Sequence, residues 1–195
     1  MNPAKGVDIA LWYIFGISFI FLIAITVAMI LFAVKYRRSK HPIPVDIRGN
    51  WMLEVVWTII PSVIALSMFT VGWTSYLGLR NVPEDAIRIN VYAQQYSWVF
   101  VYENDKETEN EIVVPFNKPI SIILNSEDVN HSFSLPAYRI KVDAVPGMET
   151  HAWFLADRLG EFDILCTEYC GVDHSAMVAV LKIVPEEEFE KWLEE

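Results

Sequence analysis

Hydrophobic residues follow two different patterns along this chain. The first 80 residues contain two long continuous hydrophobic runs, whereas from Ala86 onward short hydrophobic runs alternate with polar positions. The first long run, residues 9–34, contains no charged side chain, and the second, residues 51–73, contains one acid, Glu54, and one proline, Pro61. About 20 apolar residues suffice for a helix to cross the hydrocarbon core of a bilayer. The pattern therefore predicts two transmembrane helices.

The segment between the two long runs is basic. Residues 35–50 contain five lysine and arginine residues against a single acid, Asp46. Cytoplasmic loops of membrane proteins are enriched in lysine and arginine, so we predict that this loop is cytoplasmic and that the N-terminus and everything after about Leu77 lie on the outer side. The first run exceeds the roughly 7–15-residue core of a cleaved signal peptide, and we interpret it as a retained anchor.

The remainder of the chain is predicted to be all-β. Short runs rich in valine, isoleucine and aromatic residues are separated by turn signals such as END, NKP, VPG and RLG. The seven runs are 86–92, 97–103, 111–115, 119–125, 150–156, 161–166 and 177–184. Their spacing is typical of a sandwich or barrel of antiparallel strands. The acidic C-terminal segment, residues 186–195, has the pattern of a short amphipathic helix.

Charge divides the chain in the same way. Residues 1–80 hold 7 lysine and arginine residues against 3 acids, whereas residues 81–195 hold 8 against 22. So acidic a surface repels nucleic acid and attracts basic proteins. We therefore expect a membrane anchor over residues 1–80, an extracytoplasmic domain over residues 81–195, and no nucleic-acid partner.

Both cysteines lie in one short motif, CTEYCGVDHSAM, residues 166–177. Cys166, Cys170, His174 and Met177 offer two thiolates, an imidazole and a thioether, which favour copper or zinc over calcium or magnesium. A disulfide is one alternative in an oxidising compartment, but it would close a very small loop and add little stability. A structural zinc site is the other alternative, although zinc has no use for methionine.

A copper site of this kind needs a second histidine. His41 lies in the predicted cytoplasmic loop, and His151 lies on a predicted strand. His131 follows the predicted strand 119–125 and opens a loop, where a rigid sheet can aim a ligand, so it is the candidate for the remote ligand. One such histidine with a Cys/His/Met loop is the ligand set of a blue-copper site. The second thiolate here would allow both sulfurs to bridge two copper ions.

Two segments resemble a known family closely. DVNHSFSLPAYRIKVDAVPG, residues 128–147, and GEFDILCTEYCGVDHSAM, residues 160–177, are similar to the binuclear-copper (CuA) domain of subunit II of the haem–copper oxidases, the cytochrome c oxidase family. The resemblance implies a transmembrane two-helix hairpin followed by an all-β cupredoxin domain, a Greek-key barrel or sandwich. It also implies a subunit of a plasma-membrane oxidoreductase, bacterial or archaeal, which passes electrons from a donor to the haem–copper catalytic subunit I for oxygen reduction and proton translocation.

The same resemblance assigns ligand roles. The two bridging thiolates, the two imidazole ligands and the two weak ligands would be, in that order, Cys166 and Cys170, His131 and His174, and Met177 with the backbone carbonyl of Glu168. The Glu168 side chain is similar to a family residue that helps to hold magnesium at the junction with the catalytic subunit.

Two further segments resemble family motifs. In NWMLEVVWTIIP, Glu54 and Trp57 match a glutamate and a tryptophan at the mouth of a proton path, although Glu54 is also explained as a residue that simply reaches the cytoplasmic interface. The stretch QQYSWVF departs from the family pattern Q-W-x-W, in which the first tryptophan admits electrons from cytochrome c. Tyr96 takes that place and Trp98 is retained, so both are candidate electron-entry residues. The donor, cytochrome c or a similar carrier, is left open by this departure.

Two functional alternatives remain open. The same kind of copper subunit serves some nitric oxide reductases, and nothing in the sequence identifies the gas. A membrane-tethered copper carrier that works alone would account for the soft ligands, but not for Glu54, Glu168 or the helical hairpin. A quinol oxidase is disfavoured because its subunit II needs no copper ligands.

Overall fold

The computed structural model describes residues 2–43, 45–46 and 48–195. The chain divides into two compact units. One consists of residues 6–75, and the other consists of residues 76–195 together with the N-terminal residues up to Lys5. The first unit is helical and the second is built mainly of β-strands.

Two long helices dominate the N-terminal part of the chain. Helix α1 spans Pro3–Lys35 and helix α2 spans Trp51–Arg80. In the part of the chain that the structure describes, these two are the helices long and apolar enough to cross a membrane. Both extend beyond the predicted runs, because turns that lack a continuous apolar sequence, such as residues 3–8, still complete their helical hydrogen bonds.

The two helices also contact each other within the helical unit. The hydroxyls of Tyr13 and Ser67 lie 2.8 Å apart, and the Ser75 hydroxyl donates to the Gly6 carbonyl at 2.9 Å. At the start of α2, the Asn50 side-chain oxygen accepts the N–H groups of Met52 and Leu53. Asparagine is a favourable N-cap because it satisfies N–H groups that have no partner within the helix.

Residues 76–195, all of which the structure describes, form ten strands and a C-terminal helix after the end of α2. The strands are β1 Ile87–Gln94, β2 Ser97–Tyr102, β3 Glu107–Glu109, β4 Glu111–Pro115, β5 Pro119–Ser126, β6 His131–Leu135, β7 Ile140–Ala144, β8 Thr150–Leu155, β9 Gly160–Cys166 and β10 Val178–Val184. Helix α3 spans Glu186–Glu194. All seven predicted strands and the predicted terminal helix are confirmed.

The ten strands form two five-stranded sheets. The first sheet has the order β3-β2-β1-β5-β8 and the second the order β4-β10-β9-β6-β7. The expectation of antiparallel strands is wrong for two pairs, because β1–β5 and β4–β10 are parallel. An alternating hydrophobic pattern indicates which face of a strand is buried but not the direction of its neighbour. The mixed β-sandwich after two apolar helices nevertheless confirms the predicted fold class.

Side chains of both sheets meet in one hydrophobic core. In β1 the alternate residues Ile89, Val91 and Ala93 are buried, as expected for a strand with one face in a core. The largest fully buried side chains are Trp98, Tyr138, Phe100, Phe133 and Phe154. The core therefore provides a rigid, closely packed support for the loops at the strand ends.

One sequence prediction about a site residue is wrong. His131 was expected to open a loop, but it is the first residue of strand β6, and its side chain is fully buried. All five residues of β6, HSFSL, are buried. Because three of the five are polar, the strand lacks the hydrophobic signal that marks its neighbours. Strands β3 and β7 were also not predicted; β3 has the sequence ETE and β7 the sequence IKVDA.

Candidate metal centre

The candidate site lies where two adjacent strands and one loop converge. Strand β6 pairs with β9 so that Phe133 is opposite Cys166, and His131 therefore lies near the end of β9. The segment from Cys166 to Met177, here called the ligand loop (residues 166–177), connects β9 to β10. Its ends are joined by a hydrogen bond from the Cys166 N–H to the Met177 carbonyl at 3.2 Å. The Thr167 N–H also donates to the Ser132 carbonyl at 3.0 Å, which ties the loop to β6.

The two thiols lie side by side and are not bonded to each other. Cys166 Sγ and Cys170 Sγ are 3.9 Å apart, and both side chains are buried free thiols. A disulfide bond would require about 2.05 Å. A metal–thiolate bond is about 2.3 Å long, so one ion placed between the sulfurs can contact both. The pair thus has the spacing of a dithiolate metal site.

Both imidazoles present the same nitrogen to the sulfurs. His131 Nδ1 lies 3.9 Å from Cys166 Sγ, and His174 Nδ1 lies 3.5 Å from Cys170 Sγ. The ligand atoms of His131, Cys166 and Cys170 all lie within 4.8 Å of one another. His174 is half-buried, in the short 3₁₀ turn His174–Ala176 of the ligand loop. Four nitrogen and sulfur donors therefore converge on one small volume.

Two weaker donors border the same volume. Met177 Sδ lies 3.8 Å from Cys170 Sγ, and the backbone carbonyl of Glu168 lies 3.3 Å from Cys166 Sγ. Met177 is buried, so its thioether has no competing contact with solvent. Two thiols, two imidazoles, a thioether and a carbonyl make a soft donor set that fits copper. The structure thus brings together all six groups that the sequence singled out for copper.

Sequence reasoning missed Asp128, which orients the remote histidine. Asp128 Oδ1 lies 2.7 Å from His131 Nε2 and accepts the Val129 N–H, while Oδ2 accepts the Gln95 N–H at 2.7 Å. A histidine whose Nε2–H donates to a carboxylate presents the lone pair of Nδ1, here toward the sulfurs. The only sequence signal was an acid three residues before the histidine in DVNHS.

The surroundings of the site affect the acidity of two groups. Burial, followed by the neighbouring Cys166, raises the pKa of the Cys170 thiol to about 11. A metal that binds here must therefore displace a proton that is held firmly at neutral pH. Although partial burial acts in the opposite direction, the hydrogen bonds from His131, Val129 and Gln95 hold the pKa of Asp128 below its usual value.

The two candidate electron-entry residues lie close to the ligands. Trp98 is fully buried, with its ring centroid 6.2 Å from that of His131 and 5.5 Å from that of Phe133. Tyr96 is half-buried in the turn between β1 and β2, and its hydroxyl oxygen accepts the Val172 N–H at 2.9 Å. The Trp98 ring thus lies beside one candidate ligand, His131, and the Tyr96 hydroxyl is hydrogen-bonded to the ligand loop.

The remaining candidate residues lie outside the cluster. The Glu168 side chain is exposed. Among the described residues, one cluster of at least three histidine, cysteine or acidic groups has ligand atoms within 4.8 Å of one another, and it consists of His131, Cys166 and Cys170, without the Glu168 carboxylate. Glu54 belongs to the helical unit, where it lies exposed in the first turn of α2. His151 lies on β8, as predicted, and His41 lies between the two helices.

Comparison with known proteins gives a consistent picture. Residues 102–184 match the family model described as "Cytochrome C oxidase subunit II, periplasmic domain", and residues 4–76 match the corresponding transmembrane domain. Cytochrome c oxidase subunit 2 of Cereibacter sphaeroides is 27% identical over 98% of this chain and 78% of the relative. Its counterpart from Alkalihalophilus pseudofirmus is 34% identical over 89% of this chain and 54% of the relative.

Solved structures resemble the β-sandwich unit. The periplasmic domain of cytochrome oxidase subunit II from Bradyrhizobium japonicum is 34% identical, with a TM-score of 0.56, over 58% of this chain and 95% of that domain. A mixed-disulfide intermediate between a thioredoxin-like protein and subunit II of cytochrome c oxidase also matches, at 33% identity and a TM-score of 0.53, over 58% of this chain and 92% of that one. The chain belongs to the cytochrome c oxidase subunit II family, whose members are membrane-anchored two-pass subunits of haem–copper oxidoreductases.

Proposed function

We propose that this chain holds a binuclear CuA centre and is the electron-entry subunit of a haem–copper oxidase. The observation that supports this most directly is the convergence of two free thiols, 3.9 Å apart, with the Nδ1 atoms of two histidines. Such a copper pair, when bound, would accept and release one electron at a time. The oxygen chemistry would belong to cofactors of the catalytic subunit I.

The residues of this chain would hold the copper pair in a constant geometry. Cys166 and Cys170 would bridge the ions, and His131 and His174 would each bind one. The weak ligands would be Met177 and the Glu168 carbonyl. His131 lies on strand β6 and Cys166 on strand β9, and the Met177 carbonyl accepts the Cys166 N–H next to the start of β10. A ligand set that is held rigidly by a packed sheet changes little when an electron arrives, which favours rapid transfer.

The electron donor is proposed to be a basic soluble or membrane-attached carrier such as cytochrome c. The acidic balance of residues 81–195 favours a basic partner and rapid association at low salt. Near the candidate centre, Tyr169 and Val172 are 75% and 88% exposed and offer apolar contact area to a docked protein. Electrons would enter close to Tyr96 and Trp98.

Further partners belong to the same proposal. The haem–copper catalytic subunit would receive the electrons and reduce oxygen with proton translocation. Glu168, whose side chain is exposed, would help to hold magnesium at the junction with that subunit. Glu54, in the first turn of α2, would lie at the entrance of a proton path.

A bacterial or archaeal plasma membrane is the proposed location. The basic segment 35–50 supports a cytoplasmic loop, with the N-terminus and the β-sandwich on the outer side. Residues 1–80 would then form the anchor and residues 81–195 the outer domain. On that oxidising side Cys166 and Cys170 would be exposed to oxidation to a disulfide, and a reductant would have to convert this disulfide to two thiols before copper binds. The solved mixed disulfide of a relative points to a thioredoxin-like protein as that reductant.

Electron paramagnetic resonance of the full chain tests the proposal. The protein, purified in detergent and loaded with copper, is expected to show the hyperfine pattern of one electron shared by two equivalent copper nuclei, with two copper ions bound per chain. Cys170→Ser should abolish this pattern while the sandwich remains folded. Ser175→Ala, an exposed position in the same ligand loop, is the matched control and should leave the spectrum unchanged.

Other spectra would contradict the proposal. A single-copper signal from the wild-type protein, or a preference for zinc, would mean that the thiolates do not bridge two coppers. The copper-carrier alternative would then account better for the ligand set. Persistence of the shared-electron pattern in Cys170→Ser would remove Cys170 from the bridge.

A further inference from the structure

The turn between β1 and β2, residues Gln95 and Tyr96, contacts the ligand loop from the opposite sheet. β1 and β2 belong to the first sheet, whereas β6, β9 and β10, which flank the ligand loop and His131, belong to the second. The turn is thus attached to a different layer of the sandwich from the residues it contacts. Contacts of this kind can fix the position of a loop relative to the core.

Three hydrogen bonds join the turn to segments that carry ligands. The Gln95 side-chain amide donates to the backbone carbonyl of Cys170, and Tyr96 Oη accepts the Val172 N–H at 2.9 Å. The Gln95 backbone N–H donates to Asp128 Oδ2 at 2.7 Å, and the other oxygen of that carboxylate contacts His131. One two-residue turn therefore touches both the ligand loop and the carboxylate that orients the remote histidine.

Gly171 permits this close approach. It adopts a φ of +143°, and a Cβ atom at this position would lie 2.3 Å from Tyr96 Oη and 2.9 Å from Gln95 Nε2. Both distances are shorter than real Cβ contacts, so a side chain here would displace the ends of the Tyr96 and Gln95 side chains from their hydrogen bonds. The glycine lies between Cys170 and Val172, the two residues whose backbone groups bond to the turn.

We propose that Gln95 and Tyr96 are positioning residues that hold the ligand loop in its metal-binding shape before copper binds. The inference rests on the proposed copper centre, because the loop is the part of the chain that supplies five of the six candidate ligand groups. The important atom of Tyr96 is its hydroxyl oxygen, an acceptor for the Val172 N–H. Phenylalanine has no acceptor, and the tryptophan ring N–H is only a donor.

Of the three aromatic residues tyrosine, phenylalanine and tryptophan, tyrosine alone offers an acceptor oxygen to the Val172 N–H from position 96. A tryptophan there would present its N–H, or its apolar ring, to the Val172 N–H, and neither satisfies a donor. The aromatic group at this position therefore supports the loop through its oxygen, apart from any part that its ring plays in electron entry. Loss of the bond would let the loop between Cys170 and His174 leave its metal-binding shape more often, and copper would escape more readily.

Hydrogen exchange and copper release from the full chain in detergent test the inference. In the metal-free protein, Tyr96→Phe and Tyr96→Trp are each expected to speed exchange of the Val172 amide about tenfold, which corresponds to the loss of one ordinary hydrogen bond. In the copper-loaded protein, release to a chelator should also be about tenfold faster. Tyr92→Phe, on neighbouring strand β1, is the matched control and should change neither rate.

Two additional variants guard against an effect of misfolding. Gln95→Met alters an exposed turn residue and removes only the donor to the Cys170 carbonyl. It should speed exchange in the ligand loop and change the copper hyperfine coupling, with the far-ultraviolet circular dichroism unchanged. Gly171→Ala should have a larger effect than either single loss, because it displaces both side chains of the turn.

The inference would be overturned if both Tyr96→Phe and Gln95→Met exchanged the Val172 amide and released copper at the same rates as the wild-type protein. The Tyr96 ring and the backbone alone would then hold the loop. The exchange measurement uses metal-free protein and therefore does not depend on the identity of the metal. If the wild-type chain failed to form a two-copper centre, the proposed function would fail while the exchange rates still decided the positioning role.

Discussion

At the scale of single residues, the candidate centre depends on groups that direct the ligands as much as on the ligands themselves. His131 is fully buried and offers Nδ1 to the sulfurs because Nε2 is occupied by Asp128. Three donors converge on this one carboxylate, from His131, Val129 and Gln95. A carboxylate has enough lone pairs to accept them all, whereas an amide has one acceptor oxygen.

Asp128→Asn is therefore expected to weaken copper binding. The amide NH₂ would face at least one of the three donors, and the His131 ring would lose the partner that fixes its tautomer. Loss of such an orienting partner typically lowers metal affinity by about 10–100-fold. Competition with a chelator of known affinity measures the change in the full chain. Asp105→Asn, in the turn before β3, is the control, and an unchanged affinity in Asp128→Asn would show that the strand alone orients the ring.

At the scale of elements, one buried tyrosine joins the two sheets. The Tyr102 hydroxyl, on β2 of the first sheet, donates to the Val113 carbonyl at 3.0 Å and accepts the Val113 N–H at 2.8 Å. Val113 lies on β4 of the second sheet. The Tyr102 ring also lies 5.1 Å from the ring of Trp192, and Phe189 packs nearby, so helix α3 covers this junction. Burial raises the pKa of Tyr102, which keeps its phenol neutral and able to donate.

Tyr102→Phe should destabilise the β-sandwich by about 1–3 kcal/mol, because it leaves a buried N–H and a buried carbonyl of Val113 without this partner. Denaturant unfolding of the metal-free full chain, followed by tryptophan fluorescence, measures the free energy of unfolding. Tyr169→Phe removes a hydroxyl from a side chain that is 75% exposed and should have little effect. Equal stability of the two variants would indicate that water replaces the lost hydroxyl.

At the scale of the whole molecule, the chain combines a hydrophobic anchor with an acidic domain. Glu54 is the acid in the first turn of α2, next to the basic segment 35–50. A negative charge there is favourable for the helix dipole, so a local structural role exists. An acid within a membrane-spanning helix is nevertheless costly and is by default a functional residue.

Glu54→Gln distinguishes the two roles. If Glu54 passes protons, turnover of the assembled oxidase should fall at least tenfold, because an amide cannot bind and release a proton. Electron transfer into the copper centre, measured by rapid mixing with reduced donor, should not change. Asp46→Asn, in the basic loop, is the control for charge. Normal turnover of Glu54→Gln would leave Glu54 as a residue of the helix end.

Much of this architecture is determined by local sequence. Two continuous apolar runs were enough to locate α1 and α2, and period-two alternation located seven strands, because both patterns record which side chains face water or lipid within one element. The ligand loop could also be found from local sequence, because Cys166, Cys170, His174 and Met177 lie within twelve residues of one another. Strand β6 was missed because histidine and serine occupy its buried positions.

Tertiary structure alone decided the relations between distant residues. Sheet pairing places His131, 35 residues before Cys166, within 3.9 Å of its sulfur. The packing of one sheet against the other brings the turn at Gln95 to the Cys170 carbonyl, 75 residues away. Periodicity cannot reveal these contacts, because strand order and register depend on the packing of the whole sandwich. The sequence by itself specified which ligand types are present, and the packing of the two sheets decided which residues orient them.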